Sequence, residues 1–195
     1  MTTAEQRVTL DEVLQTAFGL LAGGIAERGS PFRTLSLATV ATDGTPDTRI
    51  VVLRTFDAAA RHLSVHTDAR SAKCRQLHGN NAVALLGWDA ARRWQIRLHG
   101  HATVHSGDPV ARAAWDALPH ITRQLYRLRQ PPGTPLPDPS PAHYSEGPEA
   151  LGFAAFVVVG VAFDRLETLQ LTDDGQIRAR FDFTAGEVAA AWLVP

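Results

Sequence analysis

The sequence predicts an α+β protein, mainly an antiparallel β-barrel with an N-terminal helix and a helical insertion in mid-chain. Three observations carry this expectation. Six or more short β-type runs are joined by hairpin-length turns. Helical periodicity is confined to the start and middle of the chain. The 195 residues, 45% of them hydrophobic, suffice for one sizeable core. The division expected is a single domain over 1–195: an N-terminal helix in 1–30, barrel strands in 31–105, helices in 106–130, a Pro-rich loop in 131–148 and closing strands in 149–195.

Thr9-Leu10-Asp11-Glu12 reads as a capping box, and Leu10, Val13, Leu14, Ala17, Phe18, Leu21 and Ile25 follow at helical spacing. Gly29-Ser30-Pro31 ends that helix. Thr34 to Ala41 is the first strand, Asp43-Gly44 a hairpin turn, Asp47 to Thr55 the second strand and Arg61 to Thr67 the third. A short helix covers Ser71 to Leu77 and stops at Gly79-Asn80-Asn81. Ala82 to Trp88 and Arg93 to His105 pair around Asp89-Ala90-Ala91. Asp108 caps and Pro109 opens a helix over Ala111 to Leu118, with another over Ile121 to Arg129. Residues 131–148 hold seven of the twelve prolines and no apolar period, so they form a surface loop. Phe153 to Phe163 reads as a buried strand, and Asp173-Asp174-Gly175 turns the chain into a last strand, Gln176 to Phe183.

A formal net charge of −1 with this apolar content excludes a disordered chain. The charge is unevenly placed: residues 45–100 carry nine basic and four acidic groups, while the segments on either side are acidic. Concentrated positive charge in a near-neutral chain suits a small anionic ligand better than nucleic acid. The longest apolar run, Gly152 to Phe163, is too short to cross a bilayer, and no secretory signal is visible. A single cysteine, Cys74, suits a reducing cytoplasm and reads as a small buried filler.

Three stretches of the basic segment could carry chemistry. Arg49-Ile50-Val51-Val52-Leu53-Arg54 is a strand with Arg at both ends, whose opposite parity sends the two guanidinium groups to opposite faces unless a bulge intervenes. In His66-Thr67-Asp68-Ala69-Arg70-Ser71-Ala72-Lys73 a strand passes into a helix N-terminus, where hydroxyls and cations suit a phosphate monoester. In Arg93-Trp94-Gln95-Ile96-Arg97 the alternation places Gln95 beside Arg93 and Arg97. Lys73 is the only lysine among nineteen basic residues.

With these residues the sequence resembles the pyridoxamine 5′-phosphate oxidase-like, flavin mononucleotide (FMN)-binding split barrels, well over residues 31–105 and more loosely elsewhere. Leu37-Ala38-Thr39-Val40 through Asp43-Gly44 to Pro46 is similar to the family's opening hairpin, and Arg49 to Arg54 to its Arg-x-Val-x-x-Lys/Arg strand. The resemblance implies flavin contacts from Arg49, Ile50, Val51, Val52 and Arg54, with Arg54 also reaching the substrate region. His66-Thr67 stands where the family has an aromatic-Thr pair. Ser71 and Lys73 match its phosphate-binding Ser-Arg-Lys; Ala72 replaces the Arg, and Arg70 is the candidate to supply the missing guanidinium. Gln95 falls at a flavin-contacting Gln, and Arg180-Phe181 resembles a late Arg-Phe that reaches the flavin.

The resemblance further implies a split barrel and a homodimer with two FMN sites across the subunit interface. It also implies hydride transfer from a small reduced substrate, with reoxidation by oxygen or another acceptor. No side chain stands out as an obligatory acid or base. The sequence departs from the family at Gln176-Ile177-Arg178, where an Arg-Leu-His reads the substrate, and at Gln170, where a Trp is expected. Arg123, Tyr126 and Arg178 are further candidates for substrate binding. Two alternatives remain: a non-catalytic flavin carrier or sensor, and a haem- or metal-binding barrel using His99, His101 and His105. Those three share parity on one strand, but consecutive same-face residues are about 7 Å apart.

Overall fold

The computed structural model describes residues 8–138, 149–184 and 186–195. Strands β1 (Thr34–Val40) and β2 (Pro46–Asp57) form the first antiparallel hairpin, turned at Gly44, whose φ of 84° most side chains resist. β3 (His62–Asp68) follows after a turn in which the Asp57 carboxylate accepts from the Ala60 N–H. The hairpin of β4 (Ala82–Asp89) and β5 (Trp94–His105) turns in the same way. The buried Asp89 accepts from the N–H groups of Ala91 and Arg92, and Arg61 and Arg93 hold the left-handed positions at φ 52° and 53°.

β6 (Phe156–Thr172) organises the rest. Its residues 156–162 pair with β3, which closes β1 to β6 into a six-stranded antiparallel barrel. Residues 165–172 leave that seam and pair with β7 (Gly175–Thr184), and β8 (Glu187–Leu193) adds an edge strand to it. Alternate residues such as Leu37, Val51, Leu53, Val65, Leu85, Leu98, Val159 and Val161 fill the interior. Helix α1 (Leu10–Ala26) opens with the capping box expected: the Thr9 hydroxyl accepts from Glu12 N–H, and the Glu12 carboxylate accepts from Thr9 N–H at 2.8 Å. Its buried stripe of Val13, Ala17 and Leu21 joins the core, with Phe18 on Phe56 at 5.8 Å.

Helix α2 (Ala72–Gly79) sends Cys74 and Leu77 into the same core. Helices α3 (Pro109–Asp116) and α4 (His120–Gln124) lie outside the barrel with α5 (Glu149–Ala155). There Ala111 and Trp115 pack on Phe156 and Val158, the outward residues of β6, to make a second small core.

Several boundaries differ from the sequence-based expectation. The strand placed at Phe153 starts at Phe156, because the Phe153 ring belongs to helix α5 and packs edge-on against Trp115 at 5.8 Å. The same strand runs on to Thr172, where Leu166 and Thr168 continue the buried alternation. The second mid-chain helix spans only His120–Gln124. β8 was not anticipated: its Ala-rich, exposed residues carry no alternation to read. Residues 131–138 carry neither helix nor strand, and the remainder of the Pro-rich stretch lies outside the described residues.

Candidate functional site

The candidate residues fall into three groups, separated by the faces of the sheet. The first sits inside one end of the barrel, where α2 crosses it. Arg49 pairs with Leu37 in the β1–β2 register and Thr67 pairs with Val157, so both side chains take the inner face. Lys73 reaches in from α2 and donates to the Thr67 hydroxyl at 2.8 Å; the Ser71 hydroxyl lies 3.4 Å from that of Thr67. Arg49 donates to Thr39 at 2.6 Å and to Gln76 at 3.0 Å, and it pairs with Asp47. Gln76 also donates to Asp47, and this bond, with the Arg49 charge, holds the Asp47 carboxyl below its usual range.

Lys73 is the chemically open member of this group. It is half-buried, and it forms no ion pair among the described residues. Burial is the main influence that lowers its pKa, and Arg49 pushes the same way. An ammonium short of negative partners stands beside two hydroxyls and the first turn of a helix whose Ser71 makes no side-chain cap bond. This donor set fits a phosphate monoester. Arg70 lies outside the cradle: its guanidinium is bound twice by the buried Asp68 and donates to the Leu128 carbonyl at 3.1 Å. An Asp two residues upstream of an Arg, at a strand end, is the signal for that diversion.

The second group lies on the outer face, beneath α3 and α4. The β2–β3 register slips between Leu53 and Thr55, so Arg54 is an extra, outward residue, opposite in face to Arg49. Beside it lie His66 and Tyr126, with Phe156 as a shared wall: its ring centroid is 4.9 Å from each, edge to face. Arg54 Nε and His66 Nδ1 are buried and have no hydrogen-bond partner among the described residues. Burial, aided by the Arg54 charge, drives the His66 pKa down to about 4, so the imidazole is neutral near pH 7. Burial likewise raises the Tyr126 hydroxyl pKa. Arg123 donates to the carbonyls of Leu118 and Asp116, with its cation over Trp115. Trp115 and Phe156 pack within this cluster, and the sequence reading did not single them out.

The third group crosses the outer face of β4 to β7. Gln95 pairs with Trp88 on one side and with Leu169 on the other, and Arg178 is the next residue in that row. One row along, Ile50, Ser36, Leu86, Arg97, Glu167 and Arg180 follow one another across five hydrogen-bonded ladders. Glu167 is the hub: Arg178 bonds to it at 2.9 Å and Arg97 pairs with it at 3.5 Å. Burial opposes ionisation of Glu167, but the two Arg side chains outweigh it and its pKa is lowered. Arg180 is paired with Asp182 at 2.8 Å. Beside these charges the apolar side chains of Ile50, Leu86 and Trp88 stand 66%, 40% and 44% exposed. Val51 is core and Val52 is half-buried.

The three histidines weighed as a metal or haem site have separate partners. His99 lies 3.4 Å from Arg97, His101 pairs with Asp164 at 3.7 Å, and His105 bonds to Asp108 at 2.8 Å. No helix among the described residues is long and apolar enough to cross a membrane.

Residues 18–106 match the family model described as pyridoxamine 5′-phosphate oxidase, FMN-binding domain. Over these residues the chain is similar to that FMN-binding domain, and its fold is that of a split barrel. Among curated relatives is the pyridoxine/pyridoxamine 5′-phosphate oxidase of Caulobacter vibrioides. It is 37% identical over 105 residues, which cover 51% of this chain and 44% of that protein. The enzyme of the same name from Nitrobacter winogradskyi is 40% identical over 84 residues, or 43% and 36% of the two chains. The chain thus spans less than half the length of these relatives. Two split-barrel structures share the fold over the full length of both chains. One is a pyridoxamine 5′-phosphate oxidase-related, FMN-binding protein of Nostoc punctiforme, with 23% identity and a TM-score of 0.75. The other is PhzG of Burkholderia lata, in complex with tetrahydrophenazine-1-carboxylic acid, with 18% identity and a TM-score of 0.74.

Proposed function

We propose that the protein is an FMN-dependent oxidoreductase that takes a hydride from a small reduced substrate and acts as a homodimer with its flavin sites between subunits. The observation that carries this reading is the cradle of Lys73, Thr67 and Ser71, an ammonium with no carboxylate partner among the described residues, beside two hydroxyls. In it, Lys73 holds the phosphate as a point charge, Ser71 and Thr67 donate hydroxyls, and Arg49 sets the field while clamped by Asp47, Thr39 and Gln76. Bound FMN would supply the hydride acceptor and its later reoxidation by oxygen or another acceptor.

The split of candidates between faces supports the dimer. Gln95, Arg178 and Arg180 lie on the outer surface, next to an exposed apolar patch, and the cradle lies on the inner one. A flavin touching both kinds of group takes its phosphate contacts from one copy and its Gln95 contact from the other. The Arg54, His66 and Tyr126 cluster, walled by Phe156, then serves the substrate. A second reading, a flavin carrier without turnover, is favoured by one observation: Arg178, in the segment that departs from the family, is held by Glu167.

An absorbance spectrum of the purified protein, followed by release of any chromophore, tests the cofactor. Flavin bands and about one FMN per chain are expected, with retention lost in Lys73→Ala. A protein that neither carries nor takes up FMN overturns the proposal. Steady-state oxygen consumption with reduced donors then separates the oxidase from the carrier.

A further inference from the structure

Four of the chain's eight histidines share the outward face of three neighbouring strands. In register, His62 of β3 and His101 of β5 flank Ala162 of β6; His66 and His105 flank Val158. Between these rows Ser64 and Thr103 flank Gly160. His66 is half-buried against Phe156, and His101 is drawn to Asp164. The other two converge: a Cβ placed on Gly160 would meet His62 Nε2 at 2.8 Å and His105 Nε2 at 3.7 Å. Glycine leaves the space into which imidazoles from two strands lean over one backbone point.

The remaining atoms of each ring fix what that space presents. His105 Nδ1 lies 2.8 Å from an oxygen of Asp108. Asp108 also caps α3 by accepting from Ala111 N–H, which fixes the carboxylate in place behind the ring. Against a carboxylate, Nδ1 carries the hydrogen, and the Nε2 lone pair is left facing Gly160. A carboxylate behind an imidazole is the arrangement that orients metal-ligating histidines. His62 makes no hydrogen bond among the described residues, so its Nε2 is uncommitted.

We infer that His62 and His105 form a two-imidazole site over Gly160 for a divalent transition metal ion such as Zn²⁺, with Asp108 orienting His105 from behind. Imidazole nitrogen selects Zn²⁺, Cu²⁺ or Ni²⁺ over Mg²⁺ and Ca²⁺. Among the described residues no group of three metal-ligating side chains is gathered. Water therefore completes the coordination, and the ion exchanges freely. Its position has a structural effect: the ion bridges β3 and β5 across β6, over the seam that closes the barrel. The inference is independent of the flavin reading.

The test uses tag-free protein stripped with a chelator and titrated with Zn²⁺ by calorimetry, with thermal melting in parallel. One Zn²⁺ per chain and a melting temperature that rises with Zn²⁺ but not with Mg²⁺ are expected. His62→Ala, whose fold is checked by circular dichroism, should weaken binding at least tenfold, and Asp108→Asn about tenfold. His101→Ala should leave binding unchanged. If His105→Ala does not fold, His62→Ala alone decides. Absence of Zn²⁺ binding at submillimolar concentration, or equal binding in His62→Ala, overturns the inference. Flavin content of His62→Ala stays at the wild-type level, so failure here leaves the cofactor question untouched.

Discussion

Lys73 and Arg49 show how two cations in one cradle come to differ. Arg49 has its guanidinium occupied by Thr39, Gln76 and Asp47, while among the described residues Lys73 has a single hydroxyl. A charged hydrogen bond is worth about 1.5–3 kcal/mol. Lys73→Ala should therefore lower FMN affinity at least tenfold in a fluorescence titration. Arg49→Ala should do so too while also loosening Asp47 and Gln76, so its melting temperature falls as well. His66 gives a pH signature. The unfolded imidazole titrates near 6.5 and the folded one at about 4. Above pH 6.5 both are neutral, and between 6.5 and 4 the unfolded chain binds a proton that the fold refuses. Stability should fall as pH drops through that window, and His66→Phe should flatten the slope measured by urea melts. Of these details the sequence showed the parity of Arg49 and Arg54, because a period of two is local. It could not show the pairing of Arg49 with Thr39, which depends on strand register, or the capture of Arg70 by Asp68 and Leu128.

The elements were legible where local chemistry decides them. Thr9 with Glu12 marks the start of α1, Asp43-Gly44 the first hairpin, and Asp108-Pro109 the start of α3. Thr9→Ala should cost about 1 kcal/mol by the usual worth of such a cap, read as a lower urea midpoint. They were illegible where packing decides. Phe153 could continue either a helix or a strand, and contact with Trp115 settles it as helix. The bulge in β5–β6 pairing between His99 and Gly100 is likewise a tertiary matter. There a Cβ on Gly100 would stand 2.1 Å from the Ala162 carbonyl oxygen and 2.6 Å from Phe163 Cα. Backbone cannot move aside as a side chain can, so Gly100→Ala should lose about 1–3 kcal/mol or more, the usual range for overpacking. Gly44→Ala, with open space around it, should suffer only from its φ of 84°.

At the scale of the molecule, the barrel was readable from the count and spacing of its strands, whereas its closure was not. Nothing in His62–Asp68 names Phe156–Ala162 as its partner; only three-dimensional packing pairs them. The proposed dimer belongs to this scale. Trp88→Asp places a charge in the exposed apolar patch with Ile50 and Leu86. It should shift the protein toward monomer in analytical ultracentrifugation and lower FMN retention in parallel; a dimer that survives intact would move the interface elsewhere. The seam also bears on how the chain reaches its fold. The paired segments lie roughly 90 to 100 residues apart, and such distant contacts form slowly. As the polypeptide leaves the ribosome, five strands are complete before β6 exists, and the open edge of β3 offers a row of unsatisfied amides to any neighbouring chain. The interval between synthesis of Asp68 and of Phe156 is thus the window in which a chaperone has most to protect.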